Sequence, residues 1–118
     1  MMTLLDKQKL FTQLIAELII FAGDNGYSLT IAEAYRPPDV AALYAKQGRG
    51  IKNSLHTQRL AVDFNLFKDG KWLNESEDFK ALGKFWESLS TGEIKCCWGG
   101  NFSNRDGNHF SIAHNGIK

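Results

Sequence analysis

Two of the three histidines in this sequence, His56 and His109, sit where chemistry could gather. His56 lies in Ser54-Leu55-His56-Thr57-Gln58-Arg59, just before a run in which Leu60, Val62, Phe64 and Leu66 surround Asp63. A carboxylate among apolar neighbours must be solvated, paired or bound to a metal. His109 follows Asp106-Gly107-Asn108 and also opens a short predicted strand. Two histidines and an aspartate converging at one sheet edge would make a three-ligand zinc site with its fourth position open for water. That open arrangement lowers the pKa of bound water and polarises a carbonyl. Asp106, three residues before His109, would then be a carboxylate base near the metal without ligating it. Arg36 closes another predicted strand just before Pro37 and Pro38, and an arginine so held can stabilise an oxyanion or bind a substrate carboxylate. Each feature also has a plain structural reading. Asp63 can face solvent, Asp106-Gly107 can be a turn pair, and Arg36 can be an edge arginine. His114 reads as a surface residue near a fraying terminus.

The elements that must position these residues are legible in the hydrophobic periodicity. Leu4, Phe11, Leu14, Ile15, Leu18, Ile19 and Ala22 recur at helical spacing, which predicts a helix over about 4–22. Thr3 as N-cap with Asp6 three residues on gives it a capping-box start, and Gly23 and Gly26 should end it. Residues 28–36 alternate with period two and predict a strand. Pro38 suits the first turn of a helix over about 39–47. Residues 61–67 predict a second strand, Asp69-Gly70 a hairpin turn, and Trp72-Leu73 its return. Ser76 is placed to cap a helix over about 77–90, whose apolar face is Phe79, Leu82, Phe85, Trp86 and Leu89. Strands over 94–98 and 109–112 follow, separated by Gly99-Gly100 and a polar stretch. Mixed helices and strands without a regular βαβ alternation point to an α+β fold with a small, mainly antiparallel sheet.

The chain has 118 residues, 43% of them hydrophobic, which sets the expectation of one domain over 1–118 with no separate binding domain. Eight Phe, three Trp and three Tyr supply enough apolar area to disfavour disorder. A net charge of +1 argues against bulk attraction to nucleic acid or to an anionic membrane. Asp6, Lys7 and Lys9 interrupt any export signal at the start, and no apolar run approaches the length of a membrane span, so synthesis in the cytoplasm is expected. Cys96 and Cys97 are adjacent and read as two reduced thiols on alternate faces of a short strand. Lys46, Arg49, Lys52 and Arg59 form a local basic stretch without an acid, a rim that would attract an anionic substrate.

Ser54-x-His56, Ala61-Val62-Asp63, Trp98-Gly99-Gly100 and Asp106-x-x-His109-Phe110, with Tyr35-Arg36-Pro37 and Leu43 to Arg49 upstream, together resemble the D-Ala-D-Ala carboxypeptidase type zinc peptidases. Within that family the pattern is most similar to the L-alanyl-D-glutamate peptidases used as phage endolysins. The resemblance implies a fold related to the hedgehog signalling domain and zinc held by His56, Asp63 and His109. It implies Asp106 as catalytic carboxylate, Arg36 as substrate-binding or transition-state arginine, and Ser54 as a motif serine near the metal. Two positions depart from the family pattern: Arg59 stands where glycine is usual, and Ser111 where an acid often follows the final His-aromatic pair. Either the turn at Arg59 differs, or Arg59 serves substrate binding.

The resemblance therefore implies a monomeric peptidoglycan hydrolase that cleaves the stem peptide, at the L-Ala–D-Glu bond, with zinc-activated water. Such an enzyme would reach the wall through a holin-type pore or as part of a phage particle. Wall affinity is expected on the basic stretch from Lys46 to Arg59. Two other readings are a D-Ala-D-Ala dipeptidase or carboxypeptidase, and a non-catalytic zinc-containing binding domain.

Overall fold

A computed structural model describes residues 2–118. The first helix, α1 (Leu4–Asp24), starts as expected: the Asp6 amide donates to Thr3 Oγ1 and the Thr3 amide to Asp6 Oδ2, at 3.1 and 3.2 Å. It continues through Gly23 and ends at Asn25, and Gly26 then takes a positive φ of 83° to turn the chain into the sheet.

Strand β1 (Tyr27–Glu33) pairs antiparallel with β2 (Ala61–Lys68). The expected strand ran to Arg36, but the β1–β2 register breaks between Ile31 and Glu33 and pairing stops opposite Asp63. The chain leaves the sheet there, and the Arg36 amide donates instead to the carbonyl of His56. Helix α2 (Pro38–Lys46) follows with Pro38 in its first turn. A single 3-10 turn, Leu55–Gln58, carries His56 into β2. After β2, Asp69 and Gly70 both take positive φ, the geometry of a tight hairpin, and β3 (Lys71–Leu73) returns.

Helix α3 (Lys80–Ser88) is preceded by a 3-10 turn over Ser76–Phe79. Its cap differs from expectation. Glu75 and Asp78 form the reciprocal capping pair, while Ser76 Oγ accepts from the Gly107 amide at 2.9 Å. Strands β4 (Cys96–Trp98) and β5 (His109–Ile112) complete an antiparallel five-stranded sheet of order β1-β2-β5-β4, with β3 also on β2. Cys96 and Cys97 are buried free thiols, and burial pushes the Cys96 pKa up to about 11.

The alternation along β2 divides the sheet faces. Val62, Phe64 and Leu66 enter the core with Leu18, Trp86, Phe110 and Ile112. Complete burial of Phe110 or Leu66 contributes about 1.5–3 kcal/mol each. Trp86 meets Phe11 and Phe110 edge-on, and Phe21 stacks on Phe85, tying α1 to α3. Ala61, Asp63 and Asn65 take the opposite face. There His109 stands directly across from Asp63 in the β2–β5 ladder. Among the described residues, no helix is long and apolar enough to cross a membrane.

Candidate metal centre

Strand register brings His109 to Asp63, and the 3-10 turn brings His56 to the same carboxylate. His56 Nε2 lies 3.3 Å from Asp63 Oδ2, and His109 Nδ1 lies 3.3 Å from Asp63 Oδ1. The three donor atoms fall within 4.8 Å of one another. Both imidazoles are buried, at 3% and 7% exposure.

His56 is oriented from several sides. The Ser54 Oγ accepts from the His56 amide at 3.2 Å and caps the turn. His56 Nδ1 lies 2.8 Å from the carbonyl of Ala34. A carbonyl only accepts, so Nδ1 carries the hydrogen and the lone pair of neutral His56 is on Nε2, facing Asp63. Burial pulls the His56 pKa down, yet the hydrogen bond and charge of Asp63 outweigh it and the net shift is upward. Asp63 shows the mirror case: burial would raise it, but the adjacent His109 and His56 imidazoles bring it to about 2.

The donor set fits a divalent cation. Asp63 Oδ1 is buried and has no hydrogen-bond partner among the described residues, despite its nearness to His109. Two imidazole nitrogens and an orphaned carboxylate oxygen converging on one point are what a metal would satisfy.

A cleft of about 480 Å³ opens over this cluster. Arg36, Ser54 and Asp106 line it with the three donors. Partial burial and then the Asp63 charge push the Asp106 pKa above the ordinary carboxylate value. Backbone contacts set its place: the Asp106 amide donates to Gly99 O at 2.9 Å, and Asp106 O accepts from the His109 amide at 3.0 Å. A Cβ on Gly99 would sit 2.0 Å from Asp106 O, so only glycine fits there. The Trp98 indole donates to Gly107 O at 2.7 Å and fills the space beside Gly83 and Gly100. Trp98-Gly99-Gly100 is thus the backing of the Asp106–His109 turn.

Arg36 is held by interactions that its sequence neighbours do not announce, and its side chain is 12% exposed. Its guanidinium pairs with Glu33 and lies over the Tyr44 ring at 5.2 Å. The Glu33-x-x-Arg36 spacing was the available signal, but in a chain read as continuous strand it placed the two on opposite faces. The Ala34 carbonyl, a backbone group, left no trace in residue types. Phe102, whose ring centroid is 5.5 Å from that of His109, was likewise not anticipated.

The chain belongs to a known family. The family model described as D-alanyl-D-alanine carboxypeptidase matches residues 47–112, more than half of the chain, including His56, Asp63, Asp106 and His109. This chain is therefore a peptidase of that family. Among solved structures it is similar to the Serratia marcescens L-Ala D-Glu endopeptidase ChiX, at 18% identity and a TM-score of 0.69, over 87% of this chain and 77% of that one. That likeness is one of fold. Comparison by sequence with curated proteins finds no match.

Two of the sequence expectations concern cations near the site of this peptidase. Arg59 does take the left-handed conformation that glycine favours, with φ 57°, but it does not line the cleft. Its guanidinium stacks 3.9 Å over the Tyr35 ring, which offsets the backbone cost. The segment of the basic stretch does border the cleft, through Gly50, Ile51 and Ser54, but its cations do not. Arg49 folds onto Tyr44 at 4.4 Å, and neither Lys46 nor Lys52 lines the cleft. The cations that do line it are Arg36, Arg105 and Lys118. His114 lies apart, beside Lys7 at 3.2 Å.

Proposed function

We propose that this peptidase is a zinc-dependent peptidoglycan endopeptidase that cuts the stem peptide between L-Ala and D-Glu. The observation that carries the reading is the convergence of His56, Asp63 and His109 in one cleft with Asp106. His56 Nε2, Asp63 and His109 Nδ1 would hold the ion. Bound zinc supplies Lewis acidity toward the scissile carbonyl and makes water more acidic.

The remaining work falls to the protein. Asp106 takes the proton of the attacking water on its carboxylate and returns it to the leaving amine. Its raised pKa brings it closer to neutrality, where a base that must also act as an acid is most effective. Arg36 faces the cleft as a donor to the developing oxyanion or to a neighbouring substrate carboxylate, held in one orientation by Glu33 and Tyr44. Ser54 acts through His56 by capping its turn. The choice of bond follows the resemblance to L-alanyl-D-glutamate peptidases and the name of the similar endopeptidase. The enzyme is read as a monomeric single domain that reaches the wall through a pore made by another protein or within a phage particle.

Digestion of purified sacculi tests this. With zinc present, new amino-terminal D-Glu should appear, and Asp106→Asn should lower the rate about 10²–10⁴-fold while metal content is unchanged. Release of free D-Ala without new amino termini would instead make the chain a carboxypeptidase, as the family description reads. Zinc-loaded protein that releases neither would overturn the enzymatic reading.

A further inference from the structure

The edge of β2 away from β1 is shared by two strands. β5 covers Ala61 to Asp63 and β3 covers Leu66 to Lys68, leaving Phe64 and Asn65 between them. The gap opens into a second cleft of about 310 Å³, with Trp72 and Asn74 on one rim and Arg105 to Asn108 on the other. Asp106 and Arg105 line both clefts, so the notch is continuous with the catalytic one.

Its chemistry differs from that of the metal cleft. The positive charge of Arg105 is matched by Glu77 at 3.3 Å, and its Nε donates to Gly100 O. What remains, apart from the Asp106 carboxylate at the junction of the two clefts, is an aromatic ring and carboxamides: Asn65, Asn74 and Asn108. Asn65 donates its amide to Thr30, which leaves its side-chain oxygen as an acceptor. Trp72 is 61% exposed, whereas the other tryptophans, Trp86 and Trp98, are 0% and 4% exposed. An exposed indole beside neutral amides suits an uncharged ring with apolar C–H faces and hydroxyl and acetamido groups, and suits a carboxylate-bearing peptide poorly.

Resting on the function proposed above, the geometry points to this notch as the subsite for the N-acetylated sugar that carries the stem peptide. Reach supports it. Trp72 stands opposite Phe67, four residues along β2 from Asp63, about 13 Å at strand spacing. In peptidoglycan an L-Ala–D-Glu bond is separated from its sugar by one alanine and a lactyl ether, about 7 Å. The sugar ring then extends onward from there. The terminal D-Ala–D-Ala bond lies three residues further out, roughly 10 Å more, and would leave the notch empty of sugar.

Tryptophan emission tests the subsite without needing turnover, because Trp72 is the exposed indole. N-acetylmuramoyl-L-alanine, which lacks the scissile bond, should shift the emission of the zinc-loaded protein saturably. N-acetyl-L-alanine should not, and Trp72→Ala should abolish the response. In kinetics, Trp72→Ala should reduce the kcat/KM preference for a sugar-bearing stem peptide over the same peptide without sugar about tenfold. Trp72→Phe should restore part of that preference. An unshifted emission, or equal losses on both peptides, overturns the sugar subsite. If wild-type protein cuts neither peptide, the endopeptidase reading fails, and the emission titration still decides the sugar site on its own.

Discussion

The two histidine arms of the candidate metal centre differ in how tightly they are packed. The His56 arm, from Ser54 to Asp63, is a lattice of hydrogen bonds: a serine cap, the Ala34 carbonyl on Nδ1, and the Arg36 amide on the His56 carbonyl. The Asp106–His109 arm has hydrogen bonds of its own and adds close packing to them. Gly99 admits the Asp106 carbonyl, Gly107 lies against Ser76 where a Cβ would be 2.4 Å from backbone, and Trp98 wedges behind both. A hydrogen-bonded arm can lose one bond and keep its shape, whereas a packed arm has no slack. The arm that carries the proposed base is thus the rigid one.

Substitutions that strain one arm and not the other break this contrast most sharply. Gly99→Ala should have the largest effect, because its methyl meets backbone rather than a movable side chain. We expect a loss of about 1–3 kcal/mol in stability and roughly 10²-fold in kcat/KM as Asp106 is displaced. Denaturant melts and peptide hydrolysis measure the two. Ser54→Ala should be milder: about 1 kcal/mol for the lost cap and about tenfold weaker metal binding through the loosened His56 turn. Competition with a chelator reads the second. If Ser54→Ala proves as damaging as Gly99→Ala, the His56 arm is not the compliant one.

Metal-free protein should show a pH window that belongs to the His56–Asp63 pair. The Asp63 pKa drops from 3.8 to about 2, so its contribution is complete above pH 3.8 and is lost as pH falls toward 2. The His56 pKa is raised above 6.5, so its contribution is complete below pH 6.5 and fades as pH rises through the folded value. Stability in chelator should therefore be greatest between these limits. Zinc should reverse the upper slope, because protons compete with metal at His56 Nε2 and binding strengthens as pH rises. Thermal melts across pH with and without zinc show both trends.

Arg59 carries the smallest effect. Arg59→Ala keeps the left-handed backbone and loses the Tyr35 stack, which costs about 0.5–1 kcal/mol. Arg59→Gly loses the same stack but relieves the backbone, and should stay within about 0.5 kcal/mol of wild type. Neither should change metal binding, since the Arg59 side chain packs on Tyr35 and not against the three donors.

Much of this was written in residue types. The capping box at Thr3, the Asp69-Gly70 hairpin and the alternation along β2 depend on neighbours within a few residues, and local patterns carry them faithfully. The α+β class followed from their order. The grouping of His56, Asp63, Asp106 and His109 was approached through residue chemistry and completed by resemblance, because no local rule brings positions 56 and 109 together. Errors arose where distant partners decide. β1 stops at Glu33 because Asp63 ends its pairing and the chain turns to meet His56. The Arg49 and Arg59 side chains pack on Tyr44 and Tyr35 and do not line the cleft.

The sequence by itself therefore determined which chemical groups were present and which local elements carried them, since periodicity and capping act over one or two turns. Only the tertiary structure decided which of those groups face one another. The register of β2 against β5 sets His109 opposite Asp63, and the splitting of the β2 edge between β3 and β5 opens the notch beside Trp72. Both are pairings across long stretches of chain, set by burying Phe64, Leu66 and Phe110 together in the core.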